Sequence, residues 1–287
     1  MAKPIHCKTL LGHNNLDFSI ECLQSFLHHS YDEIYLEIFE DGSITDQDEQ
    51  KLLSALKNST VIKKKERDLK LEPLLADFPA CKQYRDSTNF ALKLFDIMLY
   101  DDADVLYIDS DIYFLKKFVL PKLDEMPVFM TDNQNAYSFT PADLLKINIP
   151  VFPNVNTGLF YFPKNLFDLD FIEDLLQDKV IIKSFSKRMN WSEQTIWSFL
   201  AAKSRSISYF DCKQIIMADF TLKTDADTVA IHLVYYFRTH IKQLRLLPPP
   251  ANENAFTEIK LNNHSAYLNK MDFVKEKLLR KMKKWYN

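Results

Sequence analysis

Short apolar runs alternate with amphipathic stretches through the first hundred residues. Ile5 to Leu11 reads as a strand, Leu16 to Leu27 as an amphipathic helix and Ile34 to Phe39 as a second strand. Glu40-Asp41-Gly42-Ser43 then forms a strand-to-helix turn. Thr45-Asp46-Gln47-Asp48 opens a helix with a near capping box, Asp standing where Glu or Gln is usual. Val61 to Lys65 supplies a third strand candidate. Asn89 to Tyr100 carries apolar residues at 90, 94, 95, 98 and 99, a helix face packed just before the four-residue apolar run Val105-Leu106-Tyr107-Ile108. Repeated strand–helix–strand units of this kind predict an α/β fold on a mostly parallel sheet.

The second half is less regular. Strand candidates lie at Val128 to Thr131, Leu159 to Phe162 and Val229 to Val234, and helix candidates at Leu166 to Gln177 and Glu193 to Ala202. Pro248-Pro249-Pro250 marks a boundary, because three prolines continue neither a helix nor a central strand. Beyond it, Met271 to Tyr286 has apolar residues at 274, 278, 282 and 285 set among Lys275, Lys277, Arg280, Lys281, Lys283 and Lys284. Such a basic amphipathic helix suits an anionic membrane surface. It equally suits docking on the parent domain with a solvated basic face.

The 287 residues, 47% hydrophobic and 26% charged, suffice for one large domain or a domain with an appendage. A net charge of -3 argues against a dedicated nucleic-acid binder. Cys7, Cys22, Cys81 and Cys212 form no C-x-x-C pair and read as reduced thiols of a cytoplasmic protein. The start has no apolar signal region, and no run of about 18 apolar residues occurs, so neither secretion nor a membrane span is expected. With only three glycines, Gly12, Gly42 and Gly158, no glycine-rich loop exists to cradle phosphate. A phosphate site in this chain would have to use metal and cationic side chains.

That requirement draws the eye to Asp109-Ser110-Asp111, directly after the Val105 run. Ligands of open α/β sheets collect at the carboxyl ends of buried strands, and two carboxylates there need a partner cation. Asp-x-Asp occurs five times, at 46 to 48, 102 to 104, 109 to 111, 168 to 170 and 225 to 227, and only the third follows a buried-strand signal. The pair either binds a divalent metal or caps a turn. Mn²⁺ and Mg²⁺ favour oxygen ligands, and Mn²⁺ also accepts imidazole. His232 interrupts the apolar run Val229 to Val234, as a core histidine or as a ligand brought beside the pair. Arg238, six residues on, is the nearest fixed cation, either for a diphosphate or for a surface salt bridge. Asn156-Thr157-Gly158 offers a small turn before Leu159 where a ligand could approach the backbone. Trp191-Ser192-Glu193-Gln194 brings a cap, a carboxylate and an amide to a helix start.

Taken in order, Lys93, Asp109-Ser110-Asp111, Asn156-Thr157-Gly158, Glu193-Gln194, His232 and Arg238 resemble the retaining GT-A glycosyltransferases of the glycogenin and lipopolysaccharide glucosyltransferase type. The resemblance spans about residues 20 to 240. It implies that Lys93, sixteen residues before Asp109, contacts the donor, and that Asp109 and Asp111 bind Mn²⁺ and the donor diphosphate, with His232 completing the metal site. It implies that Asn156, Thr157 and Gly158 line the sugar and acceptor side, that Glu193 and Gln194 touch the donor sugar near the reacting carbon, and that Arg238 holds the β-phosphate. Asp41 falls where such enzymes contact the nucleotide, and Arg85 is a candidate donor contact.

The resemblance further implies a GT-A fold over residues 1 to 247, with a nucleotide-binding half to 115 and an acceptor-side half from 116, followed by a C-terminal extension over 248 to 287. The implied function is metal-dependent transfer of a hexose from a UDP-sugar, with retention, to an unidentified glycan, lipid or protein. The alternative is a catalytically silent GT-A module that binds glycan or an anionic membrane. A nucleotidyltransferase would want the glycine-rich loop that the chain lacks.

Overall fold

Burial on both faces explains why the central strands carry nearly unbroken apolar runs. The structure, a computed structural model, describes residues 3–247 and 255–286, apart from the side chains of 281 and 283–286. Its strands are β1 (Ile5–Leu11), β2 (Ile34–Glu40), β3 (Ser59–Ile62), β4 (Val105–Ile108), β5 (Ile112–Phe114), β6 (Phe118–Val119) and β7 (Val128–Thr131). They continue with β8 (Val155–Phe162), β9 (Ile207–Phe210), β10 (Ile215–Met217), β11 (Ala230–His232), β12 (Thr257–Glu258) and β13 (Leu261–His264).

Eight of these form one mixed sheet in the order β13-β9-β7-β8-β4-β1-β2-β3. β1 pairs in parallel with β2 and β4, and β2 with β3. β8 runs antiparallel to both β4 and β7. All eight residues of β8 are buried. The pleat sends Val105 and Tyr107 into the core on one side of the sheet, and Leu106 and Ile108 into the core on the other. β5, β10 and β11 form a separate small sheet alongside.

The alternating strands and helices of the first hundred residues are present as expected. Thr45 accepts from the Asp48 amide, and the Asp48 side chain accepts from the Thr45 amide, a complete capping box at the Asp46–Ala55 helix. The expected strand from Val61 to Lys65 is displaced. β3 ends at Ile62 and the Lys64–Leu71 helix follows, because Lys63-Lys64-Lys65-Glu66 cannot enter the sheet. Asn156-Thr157-Gly158, expected as a turn, lies inside β8. There the β7–β8 register shifts between Phe129 and Met130, which accommodates an irregular strand. All eleven residues of the Ser192–Ala202 helix are buried, so it carries no amphipathic period.

Pro248-Pro249-Pro250 lies outside the described residues. Beyond it, β12 pairs with β6 and β13 pairs antiparallel with β9, so the chain returns to the main sheet. The Lys270–Tyr286 helix docks through Phe273, which is fully buried and meets Phe139 at 5.4 Å between ring centroids. This differs from the apolar line at 274, 278, 282 and 285. Leu278 and Met282 are 57% and 56% exposed, and the docked face is Phe273 with Glu276, Lys277 and Arg280. Among the described residues no helix is long and apolar enough to cross a membrane.

Candidate active site

Backbone ladders bring the chemistry together. At the end of β4 the Asp109 amide donates to the Gly158 carbonyl of β8 at 2.6 Å. The chain turns through Ser110 and Asp111 into β5, and β11 lies antiparallel to β5 with His232 opposite Ile112. The Leu233 amide donates to the Asp111 carbonyl at 2.8 Å and fixes that register. His232 Nε2 consequently stands 2.9 Å from Asp111 Oδ1 and 3.7 Å from Asp109 Oδ2. One ligand atom from each of the three residues lies within 4.8 Å of the others.

This cluster fits a divalent cation. Asp111 Oδ1, whose polar contact is the ionic one with His232 Nε2, makes no well-aligned hydrogen bond, and His232 Nδ1 is buried without a partner, an expensive arrangement unless something else satisfies the site. Two carboxylates and an imidazole form a donor set suited to Mn²⁺, with Mg²⁺ served by the oxygens. Burial pushes the Asp111 carboxyl up, but His232 and Arg238 outweigh it and hold the group below the usual range. Burial pulls the His232 imidazole down, while Asp111 and Asp109 reverse this and raise it. A bound cation would take the place of that imidazole proton.

Gly158 permits the close approach. A Cβ at this position would lie 2.4 Å from His232 Cε1 and 2.6 Å from Nδ1. Arg238 reaches Asp111 Oδ2 at 3.0 Å. Its path back passes through Tyr235, a non-glycine residue at φ 50°, a left-handed conformation kept where the surrounding structure enforces it.

On the other flank, Lys93 stands on the buried face of the Asn89–Leu99 helix. Its Nζ donates to Asp109 Oδ1 at 3.1 Å and to Thr157 Oγ1 at 3.2 Å, and it lies 4.6 Å from the Tyr107 ring centroid. The Tyr107 hydroxyl donates to Asp109 Oδ1 at 2.8 Å. Thr157 Oγ1 also donates to Glu193 Oε2 at 3.2 Å. Burial raises the Glu193 carboxyl to about 7, against the pull of Lys93. Its other oxygen has no hydrogen-bond partner. Gln194 anchors its amide nitrogen on the Ala136 carbonyl at 3.0 Å.

These groups line one cavity of about 700 Å³, which also takes in Gly12, Asn15, Ser19, Asn89, Asp132 and Trp191. At one end Asp41 is held by Ser43 and by the Asn89 side chain, 3.0 Å away. Ser110 shares a hydroxyl contact of 3.1 Å with Ser19. At the other end Asn156 spans two partners, accepting from the Gly158 amide at 2.8 Å and donating to Asp132 at 3.1 Å. Every site residue expected from sequence lines this cavity except Arg85. The Arg85 guanidinium is buried outside it, paired with Asp96 at 2.7 and 2.8 Å and with Asp68 at 2.7 Å. Asp132 is a further cavity carboxylate, beyond those expected from the sequence. It follows β7 directly, the same strand-end signal that singled out Asp109.

No family profile matches the sequence, and no curated protein matches it. Solved structures do match. The galactosyltransferase LgtC, in complex with donor and acceptor sugar analogs, aligns at 12% identity and a TM-score of 0.50, covering 85% of this chain and 98% of that one. The fold is the GT-A fold. An active-site mutant of LgtC aligns at 13% identity and a TM-score of 0.51, with 85% and 98% covered. The bifunctional glycosyltransferase WbbM, in its apo form, aligns at 10% identity and a TM-score of 0.50, covering 86% of this chain and 50% of that one. Within this GT-A fold, the Asp109–Asp111–His232 cluster lies past the carboxyl end of β4, where open α/β sheets gather ligands.

Proposed function

We propose that the protein is a metal-dependent glycosyltransferase that moves a hexose from a UDP-sugar to an acceptor, with retention. The observation that carries this reading is the Asp109–Asp111–His232 cluster, with Asp111 and His232 buried, lining a cavity of about 700 Å³. When bound there, Mn²⁺ or Mg²⁺ supplies positive charge to the departing diphosphate. Lys93 and Arg238 flank the same carboxylates and add fixed positive charge on either side, the electrostatic assistance that dominates such reactions.

Asp41 and the groups around Gly12 serve the nucleotide. Asn156, Thr157 and Gly158 line the sugar side together with Asp132. Glu193 and Gln194 stand beside the reacting carbon. The Glu193 carboxyl accepts from Thr157 and is raised by burial to about 7, which makes it a poor nucleophile, so retention is assigned to attack on the face from which the diphosphate leaves rather than to a glycosyl-enzyme. In this reading the protein is cytoplasmic. The outer face of the C-terminal helix, with Leu278, Leu279 and Met282 exposed, makes its contact with anionic membrane.

The test is release of UDP from a panel of UDP-sugars with Mn²⁺, with and without EDTA, beside Asp111→Ala. Metal-dependent release from one donor, lost in the variant, is the expected result. An active Asp111→Ala protein would contradict the proposal.

A further inference from the structure

The sugar side of the cavity is braced by the C-terminal helix. Asp132, Gln134 and Ala136 line the cavity on a turn after β7. The intervening Asn135 faces the C-terminal helix. Its side-chain amide donates to Glu276 at 2.5 Å, and its carbonyl accepts from Lys277 Nζ at 2.7 Å. Arg280 adds bonds of 2.8 Å to the Asn133 carbonyl and the Gln134 side chain. All of these are contacts to the turn itself.

From Asn135 the bracing continues inward. Asn135 Oδ1 accepts from the Asn154 amide at 2.9 Å, and the Asn154 carbonyl accepts from the Asp132 amide at 2.7 Å. Asp132 in turn holds Asn156, and the Ala136 carbonyl holds Gln194. Lys277 also lies 5.6 Å from the ring centroid of Trp191, which borders the cavity. Lys277 is half-buried, and burial lowers its ammonium below the usual range. An amphipathic helix docked merely for stability would bury its apolar line. This one leaves Leu278, Leu279 and Met282 exposed and commits Glu276 and Lys277 to a single turn.

We infer that Glu276 and Lys277 are positioning residues for sugar transfer, holding the Asp132–Ala136 turn so that Asp132, Asn156 and Gln194 face the sugar in register. The inference rests on the glycosyltransferase reading and adds to it that the C-terminal helix belongs to the catalytic machinery. The cost of losing such bracing falls on turnover. Nucleotide and metal would be held by groups that touch neither Glu276 nor Lys277.

The experiment compares the full chain with Glu276→Ala, Lys277→Met, the conservative Glu276→Gln and, on the outer face of the same helix, Leu279→Ser. Steady-state UDP release from the donor that wild type turns over gives kcat and KM. Calorimetry with UDP and Mn²⁺ reads the nucleotide end, and amide hydrogen exchange reads residues 132–136. Glu276→Ala and Lys277→Met are expected to lose about tenfold in kcat, to exchange faster over 132–136, and to bind UDP and Mn²⁺ within twofold of wild type. Glu276→Gln, which keeps an acceptor for Asn135, is expected to recover most of the rate, and Leu279→Ser to match wild type. Wild-type turnover with unchanged kcat in both variants overturns this inference alone, as does a loss shared equally by Leu279→Ser or by UDP binding. A wild-type protein that turns over no donor overturns the glycosyltransferase reading and this inference with it.

Discussion

Gly158 and His232 are packed so closely that a single methyl group at position 158 would stand 2.4 Å from the imidazole. One lies in β8 and the other in β11, strands of different sheets. The contact therefore sets the distance between the His232 imidazole and the sheet that leads to Asp109.

Gly158→Ala forces His232 off its position. The expected cost is about 1–3 kcal/mol of stability, the usual penalty of overpacking. Mn²⁺ affinity should fall about tenfold or more, as when the support of a metal ligand is lost. Chemical denaturation and a Mn²⁺ titration measure the two effects, and unchanged Mn²⁺ affinity would show that His232 is not held by this contact.

Glu193 makes stability depend on pH in a defined direction. Its carboxyl is raised from the ordinary value of 4.5 to about 7 by burial, so between those values the folded state holds a proton that the unfolded state has lost. Its contribution is thus a destabilisation that grows as pH rises from about 4.5 and is complete above about 7. Glu193→Gln removes it. The variant should gain on the order of 2 kcal/mol relative to wild type at pH 8 and little at pH 4. A difference between the two proteins that does not change across this range would contradict the assignment.

Arg85 acts on stability first. Asp96 is wholly buried between Arg85 and Arg67, whose Nε lies 3.3 Å away, and Arg67 also donates to the Glu40 carbonyl. Asp96→Ala leaves the buried Arg67 without its carboxylate and Arg85 with Asp68 in its place, and should cost about 3–5 kcal/mol. Arg85→Ala should lower the unfolding midpoint strongly while leaving donor KM within a few-fold. A variant of normal stability whose donor KM rises tenfold would return Arg85 to the donor site.

The legible parts of this protein are those where local chemistry is extreme. Val105 to Ile108 is apolar on both faces because both faces are covered, so the Asp109 and Asp111 that follow it stand out among five Asp-x-Asp pairs. Lys93 can be found because a buried helix face rarely carries an ammonium. His232 shows itself as a polar break in an apolar run. The β7–β8 register shift has no local signature, so Asn156-Thr157-Gly158 reads as a turn although it is strand. Arg85 has the right charge and falls near the right place, but whether it faces cavity or core depends on Asp96, eleven residues away. The C-terminal helix misleads for a similar reason. Its apolar line suggests the docked face, whereas Phe273 and three polar side chains do the docking.

Asp109, Asp111 and His232 are proposed to hold a cation through which the nucleotide diphosphate binds. Calorimetric titration of UDP into the protein with and without Mn²⁺, repeated on Asp111→Ala, tests it most directly. Mn²⁺ should tighten UDP binding at least about tenfold in the native protein and leave it unchanged in the variant. Equal UDP affinity with and without Mn²⁺ in the native protein would contradict it.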